Sequence, residues 1–510
     1  MRLGFLIAVF LMGGLAVGHG QPFDNAEGHR SYTSIFGGKL ATSLAQLDTV
    51  PLSNSFYFPH LALGNGFQTT LTYVNYSPQS VSCQTTFFDD SGNPLLVSFN
   101  GVATSTRTDL LGPGEDLHQQ TEVDPAAPLV SGWAQAECTA PVKASLLFRL
   151  YSQGVAVGEA GVNAMTVPAT KFVTFAETRT GVAYANPSTS PADITISAFG
   201  STPGPPLGST TLTLQPGAHG SANIGPLLGL SSFSGSVQVT STVPIVSLSL
   251  NAEAFPAFSA LPPGALDDST PLATSTGSPT PVTSPFTNTY YFPHLALGNG
   301  FQTTLTYVNY SPQSVSCQTT FFDDSGNPLA VSFGGPASAS RTDLLGPGAA
   351  LHQQTQTDVT APLVAGWAQA QCTGPVKASL LFRLYSQGVA AGEAGVNAMT
   401  ALATKFVTFG ETRTGVAYAN PSTQPATITI TALNSATGLS LGSATVILQP
   451  GAHGAANIGP LLGLSSFTGS VQITSTIPIV SLSLNAEAFP AFSALPPGEL
   501  DDATQLAAGR

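Results

Sequence analysis

Short runs in which Val, Thr, Phe, Tyr and Leu alternate or cluster fill most of this chain, and Gly, Pro, Asn and Asp interrupt them at close intervals. Thr69 to Asn75, Val81 to Phe88, Trp133 to Cys138 and Ala144 to Tyr151 are the clearest. A period of two with β-branched and aromatic residues predicts strands. No segment keeps a helical period for long, and the one weakly helical patch is Lys39 to Leu47. The turns carry their own signals. Gly64-Asn65-Gly66 and Asp90-Ser91-Gly92-Asn93-Pro94 supply left-handed positions and a fixed φ, and Ser152-Gln153-Gly154 closes a hairpin. Many short strands at this spacing predict β-sandwiches.

The pattern is written twice. Tyr57 to Asp268 returns as Tyr291 to Asp502 with a constant shift of about 234 positions, and roughly five residues in six are identical. An older repeat lies inside each copy. Thr72-Tyr73-Val74-Asn75 matches Ala183-Tyr184-Ala185-Asn186, Leu111-Gly112-Pro113-Gly114 matches Leu214-Gln215-Pro216-Gly217, and Gly132 to Phe148 matches Gly235 to Asn251, in the same order. Each copy therefore reads as two sandwiches of about 100 residues, the usual size of such domains. The expected fold is all-β, with four tandem antiparallel β-sandwich modules arranged as two near-identical two-module copies. Their expected bounds are 56–168 and 169–268 in the first copy, and 290–402 and 403–502 in the second. Ala164 to Thr170 leaves little slack between the modules of a copy, which implies a rigid pair. Residues 269–289, rich in Ser, Thr and Pro, are expected to form an extended, solvated linker between the pairs. Residues 21–55 form a polar leader expected to be poorly ordered, and 503–510 a short tail.

Met1-Arg2, the apolar run Leu3 to Val17 and then Gly18-His19-Gly20-Gln21 have the form of a secretory signal, residues 1–20, cut after Gly20. The apolar run is shorter than the ~20 residues a membrane helix needs, so no membrane span is expected. Secretion to the extracellular space or cell surface is the expected localisation, with the periplasm as the alternative. Charged residues are only 8% of the chain, so Ser, Thr, Asn and Gln must carry the surface. The net charge of −13 excludes a nucleic-acid partner, whose phosphates require clustered Lys and Arg. The four cysteines fall two per copy at matching positions. Cys83 with Cys138, and Cys317 with Cys372, are the pairings that keep each bridge within its copy, and they suit an oxidising compartment.

Each module opens with a strand ending in Asn-x-Ser or Asn-Pro-Ser. A central Leu-x-Pro-Gly follows, then Gly-x-x-Gln-x and Pro-[IV]-x-[SA]. This pattern, over about four-fifths of the chain, resembles the tandem immunoglobulin-like or fibronectin-III-like repeats of secreted and surface proteins of bacteria. The resemblance implies the sandwich fold and a role among stalks, adhesins, carbohydrate binders and enzyme accessories. The expected function is a secreted, non-enzymatic structural or adhesion protein, a repeated spacer or interaction module at the cell surface or extracellular matrix. A carbohydrate-binding protein and a secreted hydrolase are the alternatives. The expected partner is an unidentified surface glycan or protein, with self-association through open sheet edges as a further possibility.

Candidate chemistry is sparse. Asp89 and Asp90, repeated as Asp323 and Asp324, offer oxygens to calcium, but a tight turn needs the same residues and the spacing is not that of an EF-hand. Glu115, Asp116, Glu122, Glu137 and Asp193 become Ala349, Ala350, Gln356, Gln371 and Thr427, which weakens a paired-carboxylate hydrolase. His60, His118 and His219, repeated as His294, His352 and His453, show no ligand spacing and read as partly exposed polar residues. No catalytic residue, metal ligand or cofactor is expected. Arg149 with Glu159, and Arg383 with Glu393, flank a turn on neighbouring strands and are expected to form partly buried structural ion pairs between the halves. Tyr76 and Tyr310, beside a Ser-Pro turn, are the rings expected to face water and stack on a ligand.

Overall fold

A computed structural model describes residues 52–507 except 357. The expected signal and all but the end of the polar leader lie outside the described residues. The fold is all-β, built from antiparallel sheets. In the first copy the chain forms β1 (Asn54–Leu63), β2 (Phe67–Val74) and β3 (Val81–Asp89), then a small hairpin of β4 (Val97–Phe99) and β5 (Val102–Thr104). It continues through β6 (Thr106–Leu111), β7 (Asp116–Gln120), β8 (Val130–Cys138), β9 (Lys143–Ser152) and β10 (Val155–Asn163). These make two four-stranded sheets, β1-β8-β3-β6 and β10-β9-β2-β7. Phe58, Tyr73, Phe87 and Phe148 meet between the sheets, each at most 1% exposed. The four segments with the clearest alternation are found in β2, β3, β8 and β9.

The next module runs β11 (Ala169–Glu177), β12 (Gly181–Ala185), β13 (Ala192–Gly200), β14 (Gly208–Leu214), β15 (His219–Asn223), α1 (Ile224–Leu228), β16 (Ser234–Asn251), β17 (Ser259–Ala260) and β18 (Gly264–Leu266). One strand builds both of its layers. The first half of β16 pairs with β11 and β13, and its second half, beyond Pro244, pairs with β12. Alternating Ile194, Ile196, Val237 and Val239 fill the space between, none more than 2% exposed. The second copy repeats every one of these elements except the β4–β5 hairpin.

Two joints decide the shape of a copy. Trp133 on β8 is 1% exposed, stacks on Phe88 with ring centroids 4.6 Å apart, and donates from Nε1 to the Gly217 carbonyl at 2.7 Å. It thus ties the first module to the second. Beside it the turn at Gly92 meets the turn at Gly217 so closely that a Cβ on Gly92 would lie 2.8 Å from the Gly217 carbonyl carbon, and Gly92 has φ +83°. Only glycine suits that position.

The two copies do not hang apart. They pack face to face with reciprocal contacts, the arrangement of a symmetric dimer written in one chain. His118 stacks on Phe409 at 4.6 Å and His352 on Phe175 at 4.9 Å. Asn163 donates to the Pro496 carbonyl and Asn397 to the Pro262 carbonyl, both at 3.0 Å. The linker takes part. Residues 269–287 form no helix or strand, as expected of a connector, but they are pinned to both copies. Thr276 exchanges backbone hydrogen bonds with Gly204, and Ala273 and Gly277 donate to the Tyr310 and Pro347 carbonyls. Ala273 and Thr276 are buried.

Candidate functional site

The joint between the modules of each copy leaves a cleft with a polar chain at its floor, which runs from a buried histidine out to a carboxylate that is 60% exposed in the first copy. Strand β1 shifts register between Phe58 and Leu61, and His60 sits in that irregular step. His219 opens β15 directly after the Gly217 turn, and Asp90 lies in the turn that docks there. The three side chains meet in series. His60 Nδ1 is 3.1 Å from His219 Nε2, and His219 Nδ1 is 2.8 Å from Asp90 Oδ1. The Asp90 main chain completes the joint by accepting from the His219 amide at 3.2 Å.

The direction of these bonds follows from the acceptor at the end. A carboxylate only accepts, so His219 Nδ1 carries the proton and its Nε2 is bare. His60 Nδ1–H therefore donates to that nitrogen, which leaves His60 Nε2 as an unprotonated acceptor. Burial, with His219 alongside, pushes the His60 pKa down to about 3. Burial also lowers that of His219 against the pull of Asp90. Both rings are neutral at pH 7. The second copy repeats the set, with His294 Nδ1 3.1 Å from His453 Nε2 and His453 Nδ1 2.8 Å from Asp324.

Above this floor the walls are apolar. Phe67 and Phe148 of the first module line it with Val182, Ala183, Leu250 and Phe258 of the second, and Leu129 and Phe255, 53% and 48% exposed, stand at the rim. The cleft holds about 300 Å3 in the first copy and about 100 Å3 in the second. Besides His60 the polar side chains on the first wall are Ser221 and Asn223. Ser221 becomes Ala455 in the second copy, whereas Asn457 is kept. No hydroxyl lines both clefts, so a shared serine nucleophile is absent from the two lining sets.

The other singled-out residues lie elsewhere. Cys83–Cys138 and Cys317–Cys372 are bonded, each joining neighbouring strands of a single sheet with Cα atoms 4.1 Å apart. Asp89 Oδ1 accepts from the amides of Ser91 and Asn93 at 2.8 Å, which makes it the organiser of its turn. Among the described residues no group of three or more His, Cys, Asp or Glu is placed to hold a metal ion. Arg149 Nε pairs with Glu159 at 2.6 Å across the β9–β10 hairpin, within one module rather than between halves, and both are buried rather than partly so. Arg383 and Glu393 repeat the pair. Burial works against the charge of Arg149, but the Glu159 and Glu411 carboxylates outweigh it and hold the guanidinium above its ordinary range. Burial pushes the Glu159 carboxyl up, with Arg149 opposing.

Tyr76 and Tyr310 are corrected. Tyr310 is 8% exposed and packs on Val173 and Phe175 of the first copy, and Tyr76 is half-buried against Val407 and Phe409 of the second. Their rings are covered because the copies face each other, a contact no local pattern reveals. The histidines also differ from expectation, since His219, His294 and His453 are 3–5% exposed. The relay went unseen because His60 and His219 are 159 positions apart, and only the repetition of both hinted at a shared place.

No protein-family model matches the chain, and no curated protein does. Among solved structures, a glycoside hydrolase of family 32 from Bifidobacterium adolescentis is similar at 8% identity over 84% of this chain and 99% of that one, with a TM-score of 0.14. So low a score carries no argument about fold or activity. No helix among the described residues is long and apolar enough to cross a membrane.

Proposed function

We propose that this chain is an exported, non-enzymatic interaction protein of the cell surface or extracellular matrix, built from immunoglobulin-like or fibronectin-III-like sandwiches of the kind found in bacterial surface proteins. The observation that supports the reading best is the outward face of β13 and β14. There Thr195 pairs with Thr211 and Ser197 with Ser209, both at 2.8 Å, and Thr213 donates to Asp193 at 2.7 Å. The same face recurs as Thr429–Thr445 and Thr431–Ser443 in the second copy. Strand β14 pairs on one side alone, so rows of hydroxyls stand beside an open sheet edge. Such an edge can take up a polymer or another strand through hydrogen bonds.

The interlocked copies favour fixed spacing of these two faces over a flexible tether. The disulfides suit an oxidising compartment. A sugar platform built on Tyr76 and Tyr310 is disfavoured, because those rings are engaged between the copies.

The test is co-sedimentation of the mature chain, Gln21 to Arg510, with a panel of insoluble polysaccharides and matrix proteins, beside a tube of protein alone. Pelleting that is lost in a Thr211→Lys/Thr445→Lys variant is the expected result. Protein that stays in the supernatant with every partner and alone overturns the reading.

A further inference from the structure

We infer that each inter-module cleft binds a small uncharged apolar molecule carrying one hydroxyl, a phenol or comparably apolar alcohol, whose O–H donates to Nε2 of His60 in the first copy and of His294 in the second. The inference stands apart from the sheet-edge reading above, since the cleft lies between modules and not on the β13–β14 face.

Three observations carry it. The first is the polarity of the floor. Asp90 can only accept, so the order of donors runs His60 to His219 to Asp90 and leaves a bare nitrogen on His60, a residue of the cleft lining. A bare acceptor selects a donor. It repels a carboxylate, and the lining of the first cleft contains no Lys or Arg to attract one, whereas the second has Arg413 in its wall.

The second is the wall. The His60 ring lies 5.8 Å from that of Phe148, and Phe67 lies 6.1 Å from Phe258, so a flat or compact apolar body meets aromatic surface on several sides. About 300 Å3 sits at the lower end of the ~300–1,000 Å3 typical of small-molecule sites, which restricts the body to a ring or a short chain. The narrower second cleft, about 100 Å3, restricts it further.

The third is what this acceptor lacks. An acceptor on an otherwise apolar wall can meet water while the cleft is open, but an apolar guest would displace that water and seal it off unpaired. A guest with a hydroxyl supplies the missing donor. The discrimination therefore falls on one O–H, with the histidine pair and Asp90 holding the acceptor in the right tautomer. His60 and His294 are ligand-contacting residues in this scheme, and His219, His453, Asp90 and Asp324 are positioning residues.

The experiment compares 4-methylphenol with toluene, the same ring and methyl without the hydroxyl, by titration calorimetry and ligand-observed NMR on the full mature chain at pH 7.5. Saturable binding of 4-methylphenol, at least about tenfold tighter than toluene, is expected from pairing of the acceptor that the guest covers. In His60→Phe/His294→Phe, which keeps aromatic bulk and removes the acceptor, the preference should vanish. Equal binding of the two compounds to the wild type, binding of neither at millimolar concentration, or an undiminished preference in the variant each overturns the inference. If the variant fails to fold, the comparison of the two compounds on the wild-type chain still decides.

Discussion

Arg149 and Glu411 stand 262 positions apart in the chain, yet Nη2 of one lies 3.1 Å from Oε2 of the other inside the molecule. The relation is returned by Arg383 and Glu177 at 3.4 Å. Each arginine also holds the glutamate of its own hairpin, and each of those glutamates accepts a serine hydroxyl from the opposite copy: Ser493 on Glu159 at 2.6 Å and Ser259 on Glu393 at 2.5 Å. Two copies of one sequence are thus cross-linked by buried charge.

Removing a single member of that network leaves a buried charge without its partner. Glu159→Ala should cost about 3–5 kcal/mol of unfolding free energy, whereas Arg149→Met/Glu159→Met, which removes both charges of the hairpin pair but leaves Glu411 without its guanidinium, should recover part of that loss. Urea titration of the three proteins measures both values. A loss below about 1 kcal/mol for Glu159→Ala would show that the network does not hold the copies together.

Asp116 makes the alkaline side of neutrality costly. Burial raises its pKa to about 7, with Ser435 of the other copy opposing through a 2.8 Å hydrogen bond. A carboxyl raised above its unfolded value penalises the fold as it ionises, so the penalty is absent below about pH 4 and complete above the folded value. Asp116→Asn should therefore gain stability relative to the wild type as pH rises from 5 to 8.5, by a few kcal/mol at most given the ~1.4 kcal/mol per pKa unit. Ala350 at the matching place in the second copy shows that the position has no need of the acid. Equal pH profiles for the two proteins would contradict this.

The histidines set the acid limit. Burial lowers His60 to about 3, and His118, His219, His294 and His352 are lowered with it, burial being the main cause in each. A base depressed in the folded state takes up protons on unfolding, so these groups stabilise fully above about pH 6.5 and lose that contribution as pH falls towards 3. The thermal midpoint should drop between pH 7 and pH 4.5, and less steeply in His60→Phe/His294→Phe.

Each disulfide closes a loop of 55 residues. The chain-entropy estimate for that length is about 4 kcal/mol. Cys83→Ala/Cys138→Ala should lose up to that amount in urea, and the loss sets how much of the bridge the sheet pairing of β3 with β8 already supplies.

Alternation and turn chemistry were enough to place β2, β3, β8 and β9, because a strand with one face in a core must repeat every second residue. The self-match fixed the duplication, and two cysteines per copy fixed the pairing. The same logic misplaced Tyr76 and Tyr310. A ring beside a Ser-Pro turn faces water in an isolated module, and nothing within ten residues records that a second copy covers it. Glu411 was missed as a partner of Arg149 for the same reason.

The sequence by itself determined what depends on near neighbours and on self-comparison: all-β character, repeated sandwiches, a surface carried by uncharged polar residues, and bridges within copies. Only the tertiary structure decided which faces are covered. It turned an expected string of two pairs into a reciprocal block, and it brought His60 of β1, His219 of β15 and the turn residue Asp90 to one joint. The physical reason is range. Periodicity and turn residues report interactions a few positions long, whereas the docking of Gly92 on Gly217 and of Arg149 on Glu411 is settled by surface complementarity between elements that the chain order leaves far apart.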